Sequence, residues 1–175
     1  IRASILVAGP MVARMGDLQL PPPGGDVIGR RRLDTHILAL RALGAEITYD
    51  RTFHFSTTGL RGADVLLDEA SVTATENAIM AAVRSRGETV LHNAASEPHV
   101  QEFCSFMALL GARVDGIGTS SLRVHGVQRL GGGEFTFAED FHEIVTFLAL
   151  GAITGGEVEV RNSQPEQFPL IDRTF

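Results

Sequence analysis

Polar and apolar residues alternate in three short stretches, each led by a glycine: Gly16-Asp17-Leu18-Gln19-Leu20-Pro21, Gly87-Glu88-Thr89-Val90-Leu91-His92 and Gly156-Glu157-Val158-Glu159-Val160-Arg161. Period-two alternation predicts strands with one buried face. The three glycines lie 71 and 69 residues apart. A second landmark, Leu43-Gly44-Ala45-Glu46-Ile47, returns 67 residues later as Leu110-Gly111-Ala112-Arg113-Val114. Two landmarks in fixed order at such a spacing mark an internal repeat.

Helical periodicity fills the gaps. Val100, Phe103, Cys104, Met107 and Leu110 fall at i, i+3, i+4, i+7 and i+10, and Gly111 stops the run. Ser96 is the expected cap, with Pro98 tolerated in the first turn. Short strands are expected at 112–114 and 121–125. A helix is also expected before each glycine-led strand: Arg2 to Met15, Thr75 to Arg86, and Asp140 to Thr154, the last with Asp140 and Glu143 spaced as a capping box. Gly16, Gly87 and Gly156 read as left-handed helix ends. The repeating unit is helix, strand, helix, strand, strand. Unit one is read as 1–72 (partial), unit two as 73–139 and unit three as 140–175 (partial). A chain that opens and closes inside such units is expected to be a piece of something larger.

Composition narrows the class. In 175 residues, 44% are apolar, enough for a real core, and the net charge is −6 with both signs dispersed. No basic block tracks a nucleic-acid backbone. With one tyrosine and no tryptophan, no aromatic platform for bases is expected. Cys104 is the sole cysteine, so no intrachain disulfide forms, and its place on an apolar helical stripe predicts burial. No uncharged apolar run reaches the length of a membrane span, and no targeting peptide is visible. The six histidines form no HExxH pattern and have no cysteine pair beside them, so no metal is expected.

The least repetitive segment runs from Pro21 to His36: Pro-Pro-Pro-Gly-Gly-Asp26-Val-Ile-Gly-Arg-Arg31-Arg32-Leu33-Asp34-Thr35-His36. An acid beside three arginines on a glycine-freed loop suits acid or electrostatic chemistry, and arginine pairs bidentately with phosphate or carboxylate. A solvated turn with internally paired charges is the alternative. His36 reads as a hydrogen-bond partner for this loop or as a satisfied buried polar group. Ser71-Val72-Thr73 opens a helix, where hydroxyls and free amides suit a phosphate oxygen, or cap the helix and no more. Glu97 with His99, and Asp140 with His142 and Glu143, open two further helices.

These residues resemble a known family. Arg2-Ala3-Ser4, Gly9-Pro10, Val12-Ala13-Arg14, Pro23-Gly24-Gly25-Asp26-Val27-Ile28-Gly29, Arg31, Asp34 and His36 are similar to the UDP-N-acetylglucosamine enolpyruvyl transferases (1-carboxyvinyltransferases) of the enolpyruvyl transferase family. Asn93-Ala94-Ala95, Glu97-Pro98, Leu110-Gly111-Ala112, Gly126-Val127, Leu130-Gly131-Gly132-Gly133 and Arg161-Asn162 extend the resemblance over nearly the whole chain. It implies an α/β fold, an inside-out α/β barrel of repeated βαβαββ units, with about two and a half units present and a partner domain outside this chain. It implies transfer of the enolpyruvyl group of phosphoenolpyruvate to the 3-hydroxyl of UDP-N-acetylglucosamine with phosphate release. That is the first committed step of peptidoglycan synthesis, in the cytoplasm, with no cofactor. A paralogue with another acceptor, and an inactive binding or regulatory barrel, are the alternatives.

By position the resemblance implies that Asp26 is the general acid, where most members have cysteine, so fosfomycin, which is directed at cysteine, is expected to fail. It implies that Arg31 and Arg2 meet phosphoenolpyruvate. Arg31, Arg32, Leu33, Asp34 and Thr35 would wrap the uracil, and Ser71, Val72 and Thr73 would meet the diphosphate. His36, Glu97 and Asp140 would support the cleft. The chain departs from the family at Glu69 (usually lysine), Thr73 (usually glycine), His99 (often glutamate), Arg32 (usually proline) and Phe141 (usually arginine).

Overall fold

The computed structural model describes residues 2–25 and 33–161, together with Pro169. They divide into two compact units, residues 1–133 and 134–175. The break follows Gly131-Gly132-Gly133, which offers no side chain to bury, and precedes the start at 140 read for the third repeat.

The first unit opens with a 3-10 helix, Arg2–Val7, that runs into α1, Ala8–Met15. Then come β1 (Asp17–Leu20), α2 (Asp34–Ala42), β2 (Glu46–Asp50) and β3 (Thr52–Ser56). The second half repeats the order: β4 (Asp64–Leu66), α3 (Val72–Ala82), β5 (Glu88–His92), α4 (Pro98–Leu109), β6 (Arg113–Asp115) and β7 (Ser121–His125). The two sheets are built alike. One has the order β1-β3-β2 and the other β4-β5-β7-β6. β3 inserts antiparallel between β1 and β2, and β7 does so between β5 and β6. The register is shared too, with Asp17 opposite Ser56 and Glu88 opposite His125. β4 adds in parallel to β5, which completes a βαβαββ unit. With three residues and only Val65 buried, β4 lacks the alternation that would have betrayed it in the sequence.

The Leu-Gly-Ala landmark is a helix stop. Gly44 N–H donates to the Arg41 carbonyl and Ala45 N–H to that of Leu40, and Gly111 and Ala112 do the same to Ala108 and Met107. This double bond pattern needs a left-handed residue, and both glycines supply it with φ of 95° and 99°. Ala45 and Ala112, with Leu40 and Met107, are buried behind the stop.

Three expected boundaries move. Gly16 caps α1 in the left-handed conformation as expected (φ 75°). Helix α3, however, spans Val72–Ala82 rather than Thr75 to Arg86, because Arg86 exchanges backbone bonds with Leu60 and Gly62 and is drawn to a sheet edge. Glu97, not Ser96, occupies the cap position of α4. In the second unit α5 (Phe141–Thr154) is capped by Gly155 (φ 64°) instead of Gly156. Residues 156–161 form no strand, since a strand exists through its ladder, and among the described residues no segment pairs with them.

The core of the first unit is gathered around α3. Ala74, Ala78, Ile79, Ala81 and Ala82 are all buried, so neighbouring helices approach closely. Phe55, Leu91, Leu122 and Val124 meet them from the sheets. Cys104 is buried as expected, and burial, with Glu76 nearby, pushes its thiol up to about 11. Thr89 also faces inward, fully buried, and its hydroxyl has no hydrogen-bond partner among the described residues. A buried unpaired hydroxyl costs about 1–3 kcal/mol. Thr89→Val keeps the shape and removes that cost, so urea unfolding of this variant should show a stability gain of about 1 kcal/mol.

Candidate functional site

Three helix beginnings meet on one side of the first unit. Leu33 packs its side chain on the core and occupies the cap position of α2, which turns Thr35 and His36 inward to burial. Ser71 caps α3, its hydroxyl accepting from Ala74 N–H at 3.4 Å. Between them, Thr35 Oγ1 donates to Asp68 Oδ1 at 2.7 Å. His36 Nε2 lies 3.4 Å from Thr73 Oγ1. The 3-10 helix contributes Arg2, whose charge reaches His36. Gly25 sits against Arg2, a Cβ built on it lying 3.5 Å from the Arg2 Cβ. Arg2, Thr35, His36, Ser71 and Thr73 are thus brought together, with Gly25 and Leu33 at the flanks. Asp26, Arg31 and Arg32 lie outside the described residues.

Asn77 holds these pieces in place, and the sequence reading missed it. It is buried, and every polar atom of its side chain is used. Oδ1 accepts from Gly9 N–H at 2.7 Å. Nδ2 donates to the Ile5 carbonyl at 3.1 Å and lies 3.1 Å from His36 Nδ1. Helix α1 has no side-chain cap of its own at Val7. Its open first turn is capped from α3 instead, with Pro10 needing no acceptor. The 3-10 helix, α1, α2 and α3 are pinned through one amide.

His36 is kept neutral. Burial first, then the positive charge of Arg2, lowers its pKa from 6.5 to about 4. The unfolded histidine therefore takes up a proton near pH 6.5 and the folded one only near pH 4. Between those values the unfolded chain binds more protons, so stability is whole above pH 6.5 and falls with falling pH. The expected slope from this group is about 1.4 kcal/mol per pH unit. Urea unfolding at pH 7.5 and pH 5 should show the loss, and His36→Gln should flatten it.

Of the other expected site residues, Val72 and Asp34 belong to the same helix starts, whereas Glu97 and Asp140 belong to other elements. Val72, like Leu33, has its side chain partly buried against the core. Asp34 is the first residue of α2. Glu97 is exposed at the start of α4 and makes no side-chain cap. Its segment is tied to α3 by Ala95 N–H, which donates to Thr75 Oγ1 at 3.0 Å. Asp140, in the second unit, caps α5, its Oδ1 accepting from His142 N–H at 2.8 Å and Glu143 N–H at 3.3 Å. A cavity of about 460 Å³ opens at the far ends of α1 and α3, lined by Pro10, Arg14, Met80, Arg84, Met107 and Leu130 among others. None of the expected site residues lines it. No group of histidine, cysteine, aspartate or glutamate suited to a metal occurs among the described residues, and no helix among them is long and apolar enough to cross a membrane.

The profile of EPSP synthase (3-phosphoshikimate 1-carboxyvinyltransferase) matches residues 1–173. The chain belongs to this family. Its whole length is 54% identical to a UDP-N-acetylglucosamine 1-carboxyvinyltransferase of Treponema denticola and 53% identical to that of Bradyrhizobium diazoefficiens, covering 41% of each. The chain thus spans about two fifths of the length of these curated relatives. Among solved structures, the enolpyruvyl transferase NikO from Streptomyces tendae superposes with a TM-score of 0.72 at 18% identity, over 86% of this chain and 36% of that one. An EPSP synthase from Acinetobacter baumannii follows at 0.65 and 21%, over 86% of this chain and 34% of that one. The expected α/β, enolpyruvyl transferase-like fold is therefore the fold of this chain.

Proposed function

We propose that the full-length protein transfers the enolpyruvyl group of phosphoenolpyruvate to the 3-hydroxyl of UDP-N-acetylglucosamine and releases phosphate. The observation that carries this is identity of about half over every residue of the chain with relatives of that name. The cluster of Arg2, Thr35, His36, Ser71 and Thr73 at converging helix starts supports it, since such ends favour anions. In this reading Asp26 delivers a proton to the methylene carbon of phosphoenolpyruvate. The sugar hydroxyl attacks the resulting cationic carbon and gives up its own proton. Loss of phosphate, with return of a proton from the new methyl group, restores the double bond. Arg31 and Arg2 hold the phosphoenolpyruvate anion. Arg31, Arg32, Leu33, Asp34 and Thr35 take the uracil end, and Ser71, Val72 and Thr73 the diphosphate. Glu97 and Asp140 keep the supporting roles that the resemblance implies for each, and a partner domain outside this chain completes the enzyme. The reading places the protein in the cytoplasm, in peptidoglycan synthesis, insensitive to fosfomycin.

A second acceptor is favoured by Glu69, which is exposed beside the proposed diphosphate turn. Calorimetric titration of the full-length protein decides between them. Saturable heat with UDP-N-acetylglucosamine and none with 3-phosphoshikimate supports the proposal. The reverse, or silence with both, removes it.

A further inference from the structure

We infer that Asn77 is a positioning residue that sets the direction of a hydrogen-bond chain through His36, so that the Thr73 hydroxyl faces the UDP-sugar as a donor to its diphosphate. This rests on the proposed function above and deepens it.

The bond at Gly9 fixes which way the Asn77 amide faces. A backbone N–H only donates, so the atom of Asn77 that meets it at 2.7 Å is the carbonyl oxygen. The amide nitrogen must then face the Ile5 carbonyl and His36 Nδ1. Both of its hydrogens are committed, one to each. His36 Nδ1 consequently presents its lone pair, and the ring proton sits on Nε2. From there it is directed at Thr73 Oγ1, 3.4 Å away. The threonine oxygen is occupied as an acceptor, so its own hydrogen points elsewhere. Thr73 stands in the first turn of α3, where no helical carbonyl four residues back is available to take that hydrogen. Thr73 is exposed, and no other partner of its hydroxyl is found among the described residues. A buried amide 4 residues further along the helix thus fixes what an exposed hydroxyl can offer.

The low pKa of His36 fits the same geometry, because a proton on Nδ1 would confront the Asn77 amide hydrogens. It also explains how a threonine can stand where the resemblance leads one to expect glycine. Its side chain is drawn back toward His36, and its hydroxyl supplies a donor beside the helix amides.

The experiment uses full-length protein and UDP-N-acetylglucosamine, with two readouts. Nitrogen-15 NMR of the imidazoles, with His36 assigned through His36→Gln, should show His36 protonated on Nε2. Titration calorimetry should show Thr73→Val binding the UDP-sugar roughly tenfold more weakly, since a hydrogen bond to a charged group is lost. Thr73→Ser should recover most of the affinity. Asn77→Asp is isosteric but offers no amide hydrogen; at a pH high enough to keep the ring neutral, its carboxylate draws the single His36 proton to Nδ1 and turns the Thr73 hydroxyl inward. It should weaken binding as Thr73→Val does, and add nothing in the Thr73→Val background. A His36 proton on Nδ1 in the unaltered protein overturns the inference. So does undiminished binding by Thr73→Val, a surface change that leaves folding intact. So does an Asn77→Asp effect of equal size with and without the Thr73 hydroxyl. If the unaltered protein binds no UDP-N-acetylglucosamine, the proposed function falls first and this inference with it. Binding by the unaltered protein together with any of the other three results removes the inference alone.

Discussion

Replacing Gly9 by alanine is expected to destabilise the protein by about 3 kcal/mol, although alanine is the better helix former. Gly9 lies inside α1, where helix propensity alone favours alanine by about 1 kcal/mol. Packing reverses the sign. A Cβ at this position would overlap both the backbone carbonyl and Oδ1 of Asn77 on the adjoining helix. The obstacle is backbone, which cannot rotate out of the way. Overpacking of this kind costs about 1–3 kcal/mol. Pushing the helices apart also breaks the bond from Gly9 N–H to Asn77, leaving buried groups unpaired at a further cost of about 1–3 kcal/mol. Urea unfolding measures the difference. Unchanged stability in Gly9→Ala would mean that α1 and α3 do not approach as described, and the role given to Asn77 would go with it.

Asp26→Asn is expected to lower the rate of phosphate release by a factor of about 100 to 10,000, the usual contribution of a positioned general acid. Asparagine has nearly the shape of aspartic acid and no proton to give. Binding of the UDP-sugar should survive, because the proposed contacts to it run through the starts of α2 and α3. To act near neutral pH the Asp26 carboxyl must hold its proton, which requires enclosure that outweighs the neighbouring arginines. The rate should accordingly fall as pH rises. Stopped-assay phosphate measurements with calorimetry on the same samples test both halves. Full activity in Asp26→Asn would assign the proton to another group.

The sequence showed the repeat because its landmarks are backbone requirements. Gly44 and Gly111 recur since the turn that ends α2 and α4 needs positive φ, and no packing change elsewhere relieves that need. Strand β4 was not legible, having one buried residue and no alternation. The end of α3 was misplaced because its cause, the capture of Arg86 by Leu60 and Gly62, is a contact between distant residues. For the site, Ser71 and Thr73 were legible as a helix start, and His36 as either a supporting or a buried polar residue. The structure shows it buried and hydrogen-bonded to Thr73 and Asn77. Asn77 went unnoticed, yet a signal was present. Ala74 and Ala81 lie three residues before it and four after it, so its amide falls on the apolar face of the helix. A polar group on such a face must be buried and paired. Asp26, Arg31 and Arg32 remain assigned by resemblance, since they lie outside the described residues.

The decisive measurement is phosphate release by the full-length protein, given phosphoenolpyruvate and UDP-N-acetylglucosamine. Release should depend on both substrates, should not be supported by 3-phosphoshikimate in place of the UDP-sugar, and should leave an enolpyruvyl ether on the sugar 3-oxygen by mass spectrometry. Folded protein that releases no phosphate with this pair, or releases it only with 3-phosphoshikimate, would contradict the proposed function.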